Sequence, residues 1–270
     1  MMRKIWGLAQ LVCLDGLRRH ALIGLVLLSF ALEAGGLLFF EFIPRDIGRA
    51  SGDFILSVGW LTGLLFLLFH AVQVMAWDEE RRTIHTFLAR PISRTQYVLG
   101  IFLGLAVLLV LLNLVLGLLG YGVLTLIKDS ISSTYFQHLS PAHYCLAWIG
   151  LFCIELMLLA VIMLFSGLVR GGFPVLLLTV AYFLICNGLP VVRASIANRT
   201  DLSAALPLLL QGLTGLFPDF SRFDFKELIT ASNSAINLLQ GLAVDLGLLA
   251  LYLTVALWLA TLVYQRRDLQ

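Results

Sequence analysis

Charged side chains are scarce in this sequence. Only 13% of its 270 residues are Asp, Glu, Lys or Arg, whereas 60% are hydrophobic, and the mean hydropathy is +0.96. A soluble globular domain carries about 25% charged residues, so the composition excludes an ordinary soluble protein. Apolar runs of about 20 residues, long enough to cross a bilayer as helices, recur along the chain. The sequence therefore predicts an all-α integral membrane protein.

Several sequence patterns are absent, and each absence excludes a class of protein or site. The alternation of apolar and polar residues that marks a membrane β-barrel is absent. A net charge of +2, without a basic surface interleaved with aromatic residues, predicts no nucleic-acid partner. No CxxC pair occurs, so the cysteines indicate small apolar filler rather than a disulfide or metal framework. These four residues are Cys13, Cys145, Cys153 and Cys186.

The apolar runs predict six transmembrane helices in one domain that covers residues 1–270. Residues 1–19 mix apolar and charged positions, which predicts an N-terminal interfacial helix. The third run is long for one crossing at about 1.5 Å per residue, so it should tilt or project beyond the lipid. The predicted spans are residues 21–40, 54–77, 97–127, 144–169, 173–192 and 242–264.

The predicted outer loop, residues 193–241 between spans five and six, contains an apolar stretch at residues 202–218. This stretch is short for a crossing and includes Pro207, Gly212 and Gly215. We therefore predict a re-entrant hairpin at the outer face. A complete seventh crossing would instead place the two termini on opposite sides of the membrane.

The distribution of basic residues predicts the orientation. With six spans and the N-terminus inside, the cytoplasmic segments contain eleven of the 18 Lys and Arg residues, and the outer segments contain seven. The outer segments are at least as long in total. By the positive-inside rule, both termini should lie in the cytoplasm. We expect the chain in the cell inner membrane.

The predicted cytoplasmic segment 78–96 is unusually polar. Its acidic residues come first and suit the start of a helix, because they interact favourably with the helix dipole. An apolar-edged turn at residues 83–88 follows, and Pro91 should end it because the residue before a proline avoids the helical region. Ser93 then precedes a new helical run and can cap it. The order predicts a short rigid helix between two spans.

Such a helix would expose Phe87 and Leu88 to the cytosol. Exposed apolar side chains on a short rigid helix are what docking to a partner protein requires. The simpler alternative is a solvated loop whose arginines only fix the topology.

At these residues the chain resembles a known family. An acidic run, Thr83-Ile84, the sequence LARPISR at residues 88–94 and Tyr-x-Leu-Gly at residues 97–100 resemble the second cytoplasmic region of ABC-2 type transporter permeases. Within that family, the chain resembles the six-span permeases that are paired with a separate ATPase, as in the nitrous-oxide-reductase maturation transporters. FPDFSRFDF at residues 217–225 resembles the last outer loop of that family, and QRRDL at residues 265–269 resembles its C-terminal end.

The resemblance implies a transport subunit without an enzymatic activity or cofactor of its own. The sequence agrees, because it has no GxxxxGK[ST] phosphate-binding loop. ATP-Mg would bind to a separate cytoplasmic ABC ATPase, and a second copy of the chain or a related permease would complete the pathway. ATPase closure would push on the segment and switch the dimer between inward-open and outward-open states. The residues assigned to ATPase coupling are Asp78, Glu79, Glu80, Arg81, Arg82, Thr83, Ile84, His85, Phe87, Leu88 and Arg90.

Three carboxylates fall within predicted spans, where such groups are costly and usually functional. Glu33, Glu155 and Asp245 could line a cation or proton path, which gives the alternative function of an ion- or proton-coupled secondary transporter. The sequence lacks the paired, Gly/Pro-broken spans typical of inverted-repeat carriers. Each carboxylate could instead lie near a helix end or against a polar partner, and the candidate partners are Asn113, Asn187 and Gln73.

The sequence gives little evidence for an enzymatic site or a metal site. His138 and His143, with Asp129 nearby, lack a certain third ligand, so a solvated loop is the favoured interpretation. His70 is a lone histidine in span two and is weak evidence for a site. The sequence contains no HExxH, Ser/Lys or paired-Asp signature, so no intramembrane enzyme is predicted.

Overall fold

Every regular element in the described part of the chain is a helix. The structure, a computed structural model, describes residues 2–18, 20–40, 47–80, 93–130, 140–197, 215, 217–225 and 235–266. The helices are α1 (Met2–Arg18), α2 (Ala21–Phe40), α3 (Ile47–Leu65), a π-helical segment (Phe66–Ala71), α4 (Val72–Glu80), α5 (Arg94–Ser130), α6 (Pro141–Leu168), α7 (Gly172–Ala197), a 3₁₀ helix (Phe220–Phe223) and α8 (Ala235–Arg266).

Five of these helical regions are long and apolar enough to cross a membrane, which confirms an all-α, multi-pass membrane protein. They are Ile47–Ala76, Arg94–Ser130, Pro141–Leu168, Gly172–Arg193 and Val244–Arg266. A shorter apolar stretch, Leu22–Gly36, lies within the 20-residue helix α2. Six crossings and the re-entrant hairpin stay predictions, and residues 202–214 of that hairpin lie outside the described residues.

The helix ends differ from the limits of the apolar runs. Helix α5 has 37 residues, so at about 1.5 Å per residue it exceeds the roughly 30 Å hydrocarbon core, as predicted. Helix α3, the π-helical segment and α4 form one continuous helix that ends at Glu80. Residues 78–80 therefore belong to this helix, and the prediction that they begin a separate short helix is wrong. Helix α4 contains no glycine or proline after its apolar residues, so the helix continues beyond the apolar run that ends at residue 77.

The helices form a bundle around α6. Helix α6 is the most deeply buried of the five long helices, whereas α7 and α8 are the least buried. We call the end at which α5 begins and α6 and α8 end the proximal end, and the opposite one the distal end. At the proximal end the Arg94 guanidinium donates to the carbonyls of Tyr264 and Gln265, at 3.2 and 2.8 Å.

Helix α1 packs lengthwise on the first half of α5, and the two helices run in the same direction. Leu8 lies against Gly100, and Val12 lies against Gly104. Further along, Gly16 lies against Leu108. These contacts bury one stripe of α1, whereas its other face exposes large apolar side chains, namely Met2, Trp6, Leu11, Leu14 and Leu17. The predicted N-terminal helix is present, and α5 is a packing partner that the sequence did not indicate.

Residues 217–225 form a compact distal segment. The aromatic rings of Phe220, Phe223 and Phe225 are buried. The carbonyl of Phe223 and the ring of Phe225 lie directly against Gly150 of α6. Asp219 caps the 3₁₀ helix by accepting a hydrogen bond from the Ser221 amide at 3.1 Å. The distal segment is therefore fixed to the centre of the bundle through its aromatic side chains.

Candidate functional site

Four polar side chains from three helices lie inside the bundle. Helix α2 contributes Glu33, and α5 contributes Asn113, whereas Tyr144 and Glu155 come from α6. Glycines on α3 and α5 leave the space that these larger side chains occupy. We call these four residues the polar core. In a membrane-spanning bundle, such buried ionisable groups mark a functional site by default.

Glu155 lies near the middle of α6 and is 0% exposed. Asn113 Nδ2 donates to Glu155 Oε2 at 2.6 Å and to the Leu109 carbonyl at 3.0 Å. The other carboxyl oxygen, Oε1, has no hydrogen-bond partner among the described residues. The carboxyl group lies directly against Gly63 of α3, where a Cβ would overlap it. Of the candidate partners, the structure places Asn113 beside this carboxylate.

Glu33 is 1% exposed, and within the described ranges neither of its carboxyl oxygens has a hydrogen-bond partner. It faces Gly120 of α5. A Cβ at that glycine would lie 3.7 Å from Glu33 Oε1 and 2.8 Å from the Tyr144 hydroxyl oxygen. This hydroxyl donates to the Gly117 carbonyl at 2.8 Å. The carboxyl group is therefore buried between α2, α3, α5 and α6.

The two buried carboxyl groups lie at different depths. Asn113, beside Glu155, and Gly120, beside Glu33, are seven residues apart on α5, which corresponds to about 10 Å along the helix. Between α2 and α3, Ser29 Oγ and Thr62 Oγ1 are hydrogen bonded at 2.5 Å. The polar core is thus elongated along the bundle and does not bring the two carboxylates into direct contact.

Asp245 does not belong to the polar core. Its carboxylate accepts a hydrogen bond from Arg222 Nη1 at 3.1 Å, and this ion pair joins α8 to the distal segment. A second ion pair, between Arg193 and Asp219 at 3.0 Å, joins α7 to the same segment. Of the three carboxylates in predicted spans, two are therefore buried in the core, and the third lies in an ion pair at the distal end.

The predicted ATPase-coupling residues lie mostly outside the described part. Residues 81–92 are not described, and of residues 78–80 only the backbone is described. The helix start that follows is well defined. Ser93 Oγ accepts from the Gln96 amide at 3.3 Å, and Gln96 Oε1 accepts from the Ser93 amide at 3.1 Å. This reciprocal capping box confirms the predicted cap at Ser93.

An apolar groove of about 470 Å³ runs along the outer side of α5 and α6. Asn113, Tyr144 and Trp148 line it. Two of these belong to the polar core, and their polar groups are turned inward, toward Glu155 and the Gly117 carbonyl. The groove consequently presents mainly hydrocarbon to the membrane.

The described residues contain no group of three or more His, Cys, Asp and Glu side chains that could hold a metal ion. His138, of the proposed histidine pair, lies outside the described residues. Cys153 and Cys186 are buried as free thiols. No protein-family model matches the chain, and no curated protein is significantly similar to it. The functional assignment therefore depends on the residues and their geometry.

Proposed function

We propose that the chain is the membrane-spanning permease subunit of an ATP-driven ABC exporter of the ABC-2 type. Its six helices would cross the cell inner membrane with both termini in the cytoplasm, and a separate ATPase would bind at residues 78–90. The resemblance of residues 83–100 to the coupling region of such permeases carries the proposal. The contacts that Arg94 and Thr95 make at the proximal end support it.

The proximal ends of three helices are joined next to the coupling region. Arg94 donates to the last carbonyls of α8, where a cation also interacts favourably with the helix dipole. Gln265 Nε2 donates to Thr95 Oγ1 at 2.9 Å. The Tyr264 hydroxyl is hydrogen bonded to Ser166 Oγ of α6 at 2.9 Å. We call these five residues the proximal platform.

The platform gives a physical route from an ATPase to the bundle. Residues 81–92 connect α4 to α5, so a force applied there acts directly on the platform and on α1, which packs along α5. The same force reaches the helix that contains the π-helical segment Phe66–Ala71. Such segments are frequent at functional sites in helices. Tilting of these helices would switch access between the two sides of the membrane.

The complete transporter would contain two permease chains and two ATPase chains. Six crossings make half of the usual pathway, so a second copy of the chain is the simplest partner, and a related permease is the alternative. Residues 202–218 would form the re-entrant hairpin at the outer mouth. Pro207 removes a backbone donor, so the freed carbonyl must face protein or a watery cavity.

A second candidate function is ion- or proton-coupled secondary transport. Glu33 and Glu155 favour it, because both carboxyl groups are buried in the core of the spanning bundle without a cationic partner in the described ranges. Coupled transport by the chain alone, without any ATPase, would establish this function in place of the first.

The coupling assignment predicts that Phe87 and Leu88 anchor the ATPase. Buried aromatic and aliphatic anchors at interfaces typically contribute on the order of 2 kcal/mol or more each. Replacing both by Ala should therefore release the ATPase or uncouple ATP hydrolysis from transport, while membrane insertion stays normal. Co-purification of the two subunits and transport rates in vesicles measure this.

The matched control is charge reversal at Glu79 and Glu80. These residues would lie at the rim of the interface, where charges steer docking more than they determine affinity. Their reversal should have a smaller effect that depends on salt concentration. If the Phe87/Leu88 double variant binds the ATPase and transports at the normal rate, the charged segment only fixes topology, and the proposal fails.

A further inference from the structure

The carboxyl group of Glu155 is enclosed on three sides. Asn113 of α5 binds one oxygen at 2.6 Å, Gly63 of α3 lies against the group, and α6 itself carries it. Gly63 has no side chain, so the carboxyl group fills the space that a Cβ would take. No space for hydrating water remains on the α3 side in this packed state.

Ionised Glu155 would be poorly stabilised in this environment. Its carboxylate would receive one hydrogen bond, from a neutral amide, and Oε1 would receive none from the described residues. A buried charge without a partner cation is very costly, whereas a neutral carboxylic acid is much less so. The described Lys and Arg residues lie in α1, near the ends of the long helices or in the distal segment.

Among the described residues, the titratable groups around Glu155 supply no permanent cation. Glu33 lies beside Gly120, which is about 10 Å along α5 from Asn113 toward the distal end. His70, in the π-helical segment, is seven residues from Gly63 along one continuous helix, which places it about 10 Å toward the proximal end. The remaining titratable side chains of the described spans, apart from the Lys and Arg residues already placed, are Asp53, Asp129 and His143 near the distal span ends, Asp245 in its ion pair, and tyrosines and cysteines, which are neutral in their ordinary state. These tyrosines and cysteines are Tyr97, Tyr121, Tyr144, Cys145, Cys153, Tyr182, Cys186, Tyr252 and Tyr264.

We infer that Glu155 is a proton-binding site, protonated when α3, α5 and α6 are packed together, and that release of its proton separates α3 from α6 at Gly63. The released proton passes to water, which must enter beside the carboxylate to hydrate the new charge. Gly63 lies three residues before the π-helical segment, where the regular helical hydrogen bonding is already altered. The α3 side is therefore where the bundle opens. This property belongs to the chain itself, and it holds with or without an ATPase partner.

Infrared spectroscopy of the full chain in lipid nanodiscs tests the protonation. At neutral pH, Glu155→Gln should remove the carbonyl band of one protonated carboxyl group per chain. Asp245→Asn, the control on an ion-paired carboxylate, should remove an ionised-carboxylate band instead. If Glu155→Gln removes only an ionised-carboxylate band, the proposal is wrong.

Asn113→Leu provides a second variant in case Glu155→Gln does not fold. It removes the hydrogen bond to Oε2, so it should shift the band of the protonated carboxyl group without abolishing it. A change confined to the ionised-carboxylate bands, or no change at all, would overturn the proposal.

Hydrogen–deuterium exchange tests the opening. After correction for the intrinsic pH dependence of exchange, amides of residues 58–70 should exchange about tenfold faster at alkaline than at neutral pH in the unmodified chain. The neutral side chain of Glu155→Gln should abolish this increase. Equal behaviour of the two proteins would show that proton release does not open α3.

Discussion

At the scale of single residues, glycines decide which larger side chains the core accommodates. Gly63 lies against the Glu155 carboxyl group, and Gly59 lies against the Trp148 indole. Gly120 faces both Tyr144 and Glu33. In each case a missing side chain on one helix makes room for a polar or aromatic one on another. The polar core therefore depends on these small residues as much as on the carboxylates themselves.

The role of glycines in packing can be tested at Gly150, which lies against the distal segment. Replacing it with Leu should displace Phe223 and Phe225 and destabilise the protein by about 1–3 kcal/mol, as overpacking of a core does. Gly122→Leu is the control, because a Cβ at Gly122 meets nothing within 4 Å. Thermal unfolding can be followed with a thiol-reactive dye that reports exposure of the buried cysteines. Equal melting temperatures for the two variants would contradict the packing described for Gly150.

Some of these residues could be predicted from the sequence, and others could not. Asn113 was among the candidate partners for a buried carboxylate, and Ser93 was the predicted cap; both are confirmed. The role of Gly63 was not predicted, because its contact with Glu155 depends on the relative positions of α3 and α6. The Arg222–Asp245 pair was missed for the same reason. The coupling residues between 78 and 90 stay predictions.

At the scale of helices, α1 is the element whose packing is easiest to disturb selectively. Gly104 lies against Val12 and the Ala9 carbonyl, so Gly104→Leu should push α1 away from α5. Gly7→Leu is the control, since a Cβ there meets nothing within 4 Å. The half-buried Cys13 thiol on α1 should react faster with a maleimide in the Gly104 variant alone. An unchanged reaction rate would show that α1 does not depend on this contact.

Apolar run length predicted the helices but not their ends or irregularities. Hydropathy marks the part of a helix that faces lipid or core, whereas the helix itself continues until its backbone hydrogen bonding is interrupted. The helix of span two consequently includes residues 78–80, and α8 includes residues 235–241, which precede the predicted start of the last span. The π-helical segment was not predicted either. Its sequence, FLLFHA, has the apolar composition of an ordinary α-helical turn in a membrane span.

At the scale of the whole molecule, the number of crossings determines where each loop lies. With six crossings, a cysteine introduced at Thr86 should react with an impermeant maleimide only from the cytoplasm. A cysteine at the half-exposed Arg222 should react only from the outside. The measurement uses a background without the native cysteines, in intact cells and in inverted vesicles. Labelling of position 222 from the cytoplasm would rule out six crossings.

The parallel packing of α1 and α5 also constrains how the chain is made. During synthesis α1 leaves the ribosome before α5, and the glycines that receive it, Gly100 and Gly104, follow about 90 residues later. At typical elongation rates this delay is on the order of ten seconds. During that interval the stripe formed by Leu8 and Val12 has no protein partner, and an amphipathic helix in that state binds the membrane surface. We therefore expect the membrane surface to hold α1 until α5 has been inserted, when α1 reaches its final position.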